Sequence, residues 1–179
     1  MIEVKDEILL DRLKNGDVDS LGTLYERYKE RLFNYFLRST GNYEISNDLL
    51  METFERVYKY RGSYKTQRKV RPWLFQIATN LLKDSYKKST KFMPIDERIS
   101  NLKVVKADEP TDVAYRNKQL EKALLRLKPK QRQIVNMYYL LEMSYEDIAI
   151  IESISINSVR IKVCRALKKL KELLKDSEL

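Results

Sequence analysis

The side chains able to do chemistry in this sequence are cations on helical faces, with aromatics set among them. From Ser144 to Lys175 the chain reads SYEDIAIIESISINSVRIKVCRALKKLKELLK. Ile156, Val159, Val163, Ala166, Leu167, Leu170, Leu173 and Leu174 recur at the spacing of one helical face. Arg160, Lys162, Arg165, Lys168, Lys169, Lys171 and Lys175 occupy the other faces, with Glu172 the one acid among them. A short helix, a turn and a long amphipathic helix with a basic outer face is the sequence form of a helix-turn-helix, whose second helix enters a DNA major groove. Such a surface neutralises phosphates, releases their counterions and hydrogen-bonds to base edges. A solvated basic helix on a small bundle is the plainer alternative.

Two further constellations stand out. In RGSYKTQR (Arg61 to Arg68) and the residues after it, Lys69 and Arg71 are interleaved with Tyr64 and Trp73. Cations beside aromatics are the ingredients of a single-strand site, where bases stack and phosphates meet charge; plain core is the alternative for Trp73. Asp48, Glu52 and Glu55 form an acidic edge suited to a basic protein surface, or simply an ordinary charged helix face. Enzyme chemistry finds little support. Histidine is absent, and Cys164 is the single cysteine. No glycine-rich phosphate loop or paired-carboxylate motif appears, and no metal or cofactor is expected. Cys164 is expected to be a partly buried, inert thiol.

The elements that position these groups are helices. Four glycines and four prolines in 179 residues leave little material for hairpins, so the fold class is all-α. The net charge of +9 (35 basic minus 26 acidic residues) favours polyanionic partners. No apolar run approaches a membrane span and the N-terminus lacks a signal pattern, so a cytoplasmic protein without membrane insertion is expected. Asp6–Lys14 reads as a short helix, and Asp17 or Asp19 can cap the next one. In that helix Leu21, Leu24, Tyr25, Tyr28, Leu32, Tyr35 and Phe36 make a continuous stripe that stops at Thr40-Gly41-Asn42. Helices follow from about 44 to 60 and 69 to 88; the second has Trp73, Leu74 and Ile77 inward and Lys69, Arg71, Asn80, Lys83 and Asp84 outside. Periodicity fails from about 89 to 109, which reads as a linker. Two more helices lead into the helix-turn-helix, where Ser144 and Asp147 fit a capping box.

The order of these pieces is specific. DLLMETFERVY (Asp48 to Tyr58), RPWLFQIATNLLKD (Arg71 to Asp84), a linker, LLRLKPKQRQIVNMYYLLEMSYEDIA (Leu124 to Ala149) and SVRIKVCRALKKL (Ser158 to Leu170) together resemble the extracytoplasmic-function (ECF) sigma factors of bacterial RNA polymerase. The resemblance implies two small helical domains, 1–88 and 112–179, joined by a flexible linker, 89–111. It implies binding to the clamp and flap of core RNA polymerase, recognition and melting of promoter DNA, and no catalytic residues of its own. Asp48, Leu49, Met51, Glu52 and Tyr58 match the clamp-binding helix. Gly62, Ser63 and Tyr64 match the loop that holds a flipped −10 base, and Lys69, Arg71, Trp73, Asn80, Lys83 and Asp84 the helix that reads and melts the −10 element. Asn157, Ser158, Arg160, Ile161, Lys162 and Arg165 match the −35 recognition helix. Linker acids Asp96, Glu97, Asp108 and Glu109 match a segment that threads into the polymerase. Control by an anti-sigma factor is a further implication.

The sequence departs from the family pattern at four positions. Met51 stands where Gln is usual, Ser153 where the turn usually has Gly, Glu152 where an apolar residue is usual, and Ile161 where a small polar one is usual. Two alternatives follow: a sigma factor with weakened −35 reading that a separate DNA-targeting protein helps to place, and a stand-alone helix-turn-helix regulator. The second leaves the Asp48–Glu52 edge and the Arg61–Trp73 stretch without a role.

Overall fold

A computed structural model describes residues 4–65, 68–88 and 111–175, with backbone alone at 88 and 111–118. The linker acids therefore lie outside the described residues. Among those described there are eight α-helices and no strand: α1 (Asp6–Lys14), α2 (Asp19–Thr40), α3 (Tyr43–Tyr60), α4 (Val70–Lys88), α5 (Thr111–Arg126), α6 (Pro129–Val135), α7 (Tyr145–Glu152) and α8 (Ile156–Lys175). A 3-10 turn at Arg61–Ser63 follows α3, and a π turn at Asn136–Leu140 prolongs α6.

Local chemistry sets the boundaries. Gly41 ends α2 in the left-handed region (φ 66°), and its N–H donates to the Leu37 carbonyl at 2.7 Å. Asn42 then caps α3, its side chain accepting from the Ile45 N–H at 2.9 Å. The start of α2 differs from expectation: Val18 is the N-cap, and Asp17 instead accepts from the Ser20 hydroxyl at 2.8 Å. Pro129 opens α6, where its missing N–H costs nothing.

Helices α1 to α4 enclose Tyr35, Phe36, Leu74, Phe75 and Leu82, all fully buried. Tyr35 meets Phe75 edge-on at 6.0 Å, and its hydroxyl lies 3.2 Å from that of Thr79. In the C-terminal unit, Ala123, Leu124, Leu127 and Val135 pack on Ala166 and Leu170 of α8.

The two units lie against each other. One continuous core runs from Leu24, Tyr35 and Leu82 to Met137, Ile148, Ile151 and Val159, and Leu37 of α2 packs on Leu125 of α5. Polar ties cross the same junction. Arg132 Nη1 donates to the Ser39 carbonyl at 2.9 Å, Lys83 pairs with Glu152 at 3.2 Å, and Arg38 lies 3.9 Å from Glu121.

Candidate functional site

The acidic edge of α3 faces solvent. Asp48 and Glu55 are exposed, and Glu52 is half-exposed and held by Arg56 four residues on at 2.7 Å. Met51 and Tyr58 extend the same face as exposed apolar surface, with the Arg61 guanidinium 4.2 Å from the Tyr58 ring centroid. They border a groove of about 740 Å³ between α2 and α3, whose walls include Leu21, Tyr25 and Phe54. Leu49 is different. It is buried at 5 % exposure in the core, so its side chain holds α3 in place and is not presented to a partner.

The turn after α3 exposes Gly62 and Ser63 but buries Tyr64. The Tyr64 ring packs edge-on against Trp73 at 5.3 Å, and its hydroxyl donates to the Arg68 carbonyl. Burial, with the charges of Glu7 and Asp6 nearby, raises its pKa and keeps it a neutral donor. Tyr64 thus sets the loop's shape, while Gly62 and Ser63 form its outer surface.

Along α4 the expected outward row is only partly open. Asn80 is exposed and Asp84 half-exposed, with Lys87 3.5 Å from Asp84. Arg71 and Lys83 instead meet the C-terminal unit. Arg71 Nη2 donates to the Leu141 carbonyl, and Lys83 Nζ donates to both oxygens of Glu152. Lys69, though exposed, is 3.8 Å from Asp147. A cleft of about 600 Å³ remains between Lys69, Trp73 and Gln76 of one unit and Asp147 and Ile150 of the other. The expectation that Arg71 and Lys83 stand free is corrected by this closure, which periodicity along α4 does not reveal.

The helix-turn-helix forms as its sequence reads. The Ser144 hydroxyl accepts from the Asp147 N–H at 3.1 Å, and Ser153 takes the left-handed turn (φ 53°, ψ 46°). Val159, Val163, Ala166 and Leu170 are the buried face of α8. Asn157, Arg160, Ile161, Lys162 and Arg165 are exposed together and Ser158 is half-buried, its N–H donating to the Ser155 hydroxyl at 3.2 Å. Arg160 lies 5.7 Å from the Tyr145 ring, itself stacked on Tyr138 at 4.9 Å, so α8 is braced against the start of α7. Cys164 is exposed, not partly buried as its position beside the apolar stripe suggests.

Three buried polar residues of the α6 segment, Arg132, Gln133 and Asn136, escaped the sequence reading. Arg132 donates to the carbonyls of Leu124, Leu125 and Leu127 at 2.9–3.2 Å, closing the C-terminal end of α5. Nothing in the spacing of this segment signals what closes that helix end. No helix among the described residues is long and apolar enough to cross a membrane.

This arrangement has known counterparts. Residues 24–92 match the family model for sigma-70 region 2, and residues 117–170 that for sigma-70 region 4. The chain is 30% identical to the ECF RNA polymerase sigma factor SigM of Bacillus subtilis (strain 168), over 86% of this chain and 94% of that protein. It is 25% identical to SigW of the same organism, over 93% and 95%. Its fold is that of CnrH, solved in complex with the cytosolic domain of CnrY, with a TM-score of 0.75 over 96% of this chain and 97% of that one at 22% identity. The region 2 match accounts for the N-terminal half that a stand-alone helix-turn-helix regulator leaves unexplained. With both regions present in order, the chain belongs to the ECF sigma factors of RNA polymerase and directs the initiation of transcription.

Proposed function

We propose that the N-terminal unit, 1–88, docks core polymerase through the outer face of α3 and engages the −10 element through α4 and the loop before it. The C-terminal unit, 112–179, engages the −35 element through α8 and the polymerase flap. The observation that carries this reading is the acidic and apolar face made by Asp48, Met51, Glu52 and Tyr58 on a chain of net charge +9. A face of opposite sign to the rest of the molecule fits a basic protein surface and repels DNA. The cations of α4 and α8 fit phosphates, and Asn157 and Arg160 have the amide and guanidinium groups that read base edges.

The polymerase makes the phosphodiester bonds; this chain contributes binding and strand separation, and works in the cytoplasm where that polymerase is. Melting draws on the unstacking energy of one or two bases, offset by capture in the loop at Gly62 and Ser63 and by stacking on Trp73. CnrH and the Bartonella quintana RpoE were each solved with a protein bound, the cytosolic domain of CnrY and the anti-sigma factor NepR. An anti-sigma factor is proposed as this chain's regulator too.

The test is capture of bacterial core RNA polymerase by the wild-type chain and by the Asp48→Lys/Glu52→Lys variant. Stoichiometric capture that the charge reversal abolishes is expected. Capture unaffected by the reversal would move the docking surface off α3.

A further inference from the structure

Helix α1 carries none of the residues assigned to polymerase or DNA, yet two of its side chains end on backbone that flanks the turn at Gly62 and Ser63. Lys14 Nζ donates to the Tyr64 carbonyl at 3.2 Å, and Glu7 Oε1 accepts from the Val70 N–H at 3.4 Å. Tyr64 follows the 3-10 turn as its C-cap, and Val70 opens α4. Glu7 and Lys14 stand two helical turns apart on one face of α1, about 10 Å from each other along its axis. Leu10 lies between them on that face, fully buried in the same core as Tyr64 and Val70. The helix is itself tied down at its start. Asp6 accepts from Arg27 Nη1 at 2.5 Å and from the Tyr28 hydroxyl, and Arg27 Nη1 also donates to the Val4 carbonyl at 2.6 Å.

We infer that Glu7 and Lys14 are positioning residues for −10 recognition: from α1 they fix the backbone where the base-capturing turn ends and where α4 begins. The inference rests on the reading of Gly62 and Ser63 as the base-capturing surface, and adds the element that holds that surface in place. A pocket that takes a base out of the stack recovers the unstacking energy best when its walls are already set. The Ser63 hydroxyl donates back to the Tyr60 carbonyl at 2.7 Å, and Gly62 has open space beside it. The turn is thus braced locally and meets the rest of the unit through Tyr64. The Tyr64 ring is fixed against Trp73, and Lys14 fixes its carbonyl. Glu7 places a carboxylate oxygen on an N–H of the first turn of α4, a donor without a partner inside its own helix, where negative charge is favoured. The two bonds are partly buried and join residues 50 and 63 positions apart, so they are tertiary ties and not local turn chemistry.

Trp73 is the single tryptophan of the chain and packs on Tyr64, so its emission reports where the turn sits. In the full chain Lys14→Met keeps the aliphatic stem and removes the ammonium; it is expected to raise acrylamide quenching of Trp73 about twofold. In the polymerase holoenzyme, base preference is scored on forked DNAs that differ at one −10 position at a time. The same variant is expected to lower preference at the captured position about three- to tenfold, with polymerase capture unchanged. Lys14→Arg, which keeps a donor, is expected to restore both readouts. Glu7→Ala is expected to move both as Lys14→Met does, and Glu7→Gln, which keeps the acceptor oxygen, to move them less. Unchanged quenching in a Lys14→Met chain that retains its helical circular dichroism would overturn the tie. Raised quenching with unchanged base preference would overturn the positioning role. The base-capture reading is tested separately by Ser63→Leu in the holoenzyme, where altered base preference is expected; unaltered preference there would remove that reading, and the role built on it, and leave the quenching result standing.

Discussion

Arg132 of α6 donates to the Ser39 carbonyl of α2 at 2.9 Å, and Tyr86 of α4 donates to the same oxygen at 2.7 Å. One carbonyl near the end of α2 thus ties three helices, two from the N-terminal unit and one from the C-terminal unit. Arg132 is 4 % exposed and spends its remaining donors on three carbonyls around the end of α5. Losing it strands those acceptors in the interior. Arg132→Ala is expected to lower stability by about 3 kcal/mol in urea unfolding, with Arg132→Lys recovering part of the loss, because an ammonium lacks the planar fork.

Leu49 and Met51 are two residues apart and have opposite roles. Leu49 is core and Met51 is 53 % exposed. Leu49→Ala is expected to cost about 2–4 kcal/mol in stability. Met51→Ala is expected to stay within about 0.5 kcal/mol of wild type while weakening polymerase capture. Chemical unfolding and pull-down on the same two variants separate the effects.

The left-handed turn between α7 and α8 is held by serine. Ser153→Gly removes a Cβ from a backbone conformation that disfavours it and is expected to raise stability by about 0.5–1 kcal/mol, read as a higher thermal midpoint. Ser153→Val, with a branched Cβ at φ 53°, is expected to lower it.

Lys162 and Arg165 are exposed on α8, and on the −35 reading proposed above their contribution is phosphate charge. Lys162→Ala is expected to reduce the salt dependence of holoenzyme–promoter binding by about one counterion. Replacing Ile161 by Ser is expected to leave the salt slope alone and alter preference at a thymine methyl. Titrations at several salt concentrations distinguish the two.

Burial raises the pKa of Tyr28 and of Tyr35; for Tyr28 the hydrogen bond to Asp6 adds to it. Both phenols are protonated in folded and unfolded chains below about pH 10. Above that the unfolded chain releases protons that the folded chain retains, so the unfolded state is favoured. Stability is expected to fall with rising pH from about 10 onward, by up to about 1.4 kcal/mol per pH unit for each tyrosine. Tyr28→Phe is expected to flatten that decline in alkaline thermal melts.

What the sequence makes legible is what each helix does for itself. The stripe from Leu21 to Phe36, the Gly41 stop and the Ser144 cap follow from spacing or from one residue's backbone preference, the turn at Ser153 follows from the family resemblance against serine's own preference, and all appear in the fold. The contact between the units is not legible, because it is built from long polar side chains. Arg71, Lys83, Arg132 and Glu152 each read as solvated surface until a second helix is brought against them. Cys164 misleads for the converse reason: its position beside Val163 suggests shelter, but no neighbouring helix covers that side of α8. At the candidate site, residue types sort the three surfaces by charge, but periodicity alone does not separate Leu49 and Tyr64, which shape the surfaces, from the residues that form them.

The acidic face of α3 stays open while α4 is covered. Asp48, Met51 and Tyr58 reach solvent in the same closed chain in which Glu152 holds Lys83. Whatever docks on α3 therefore meets its face without the two units having to part, whereas a ligand for Lys83 first has to displace Glu152.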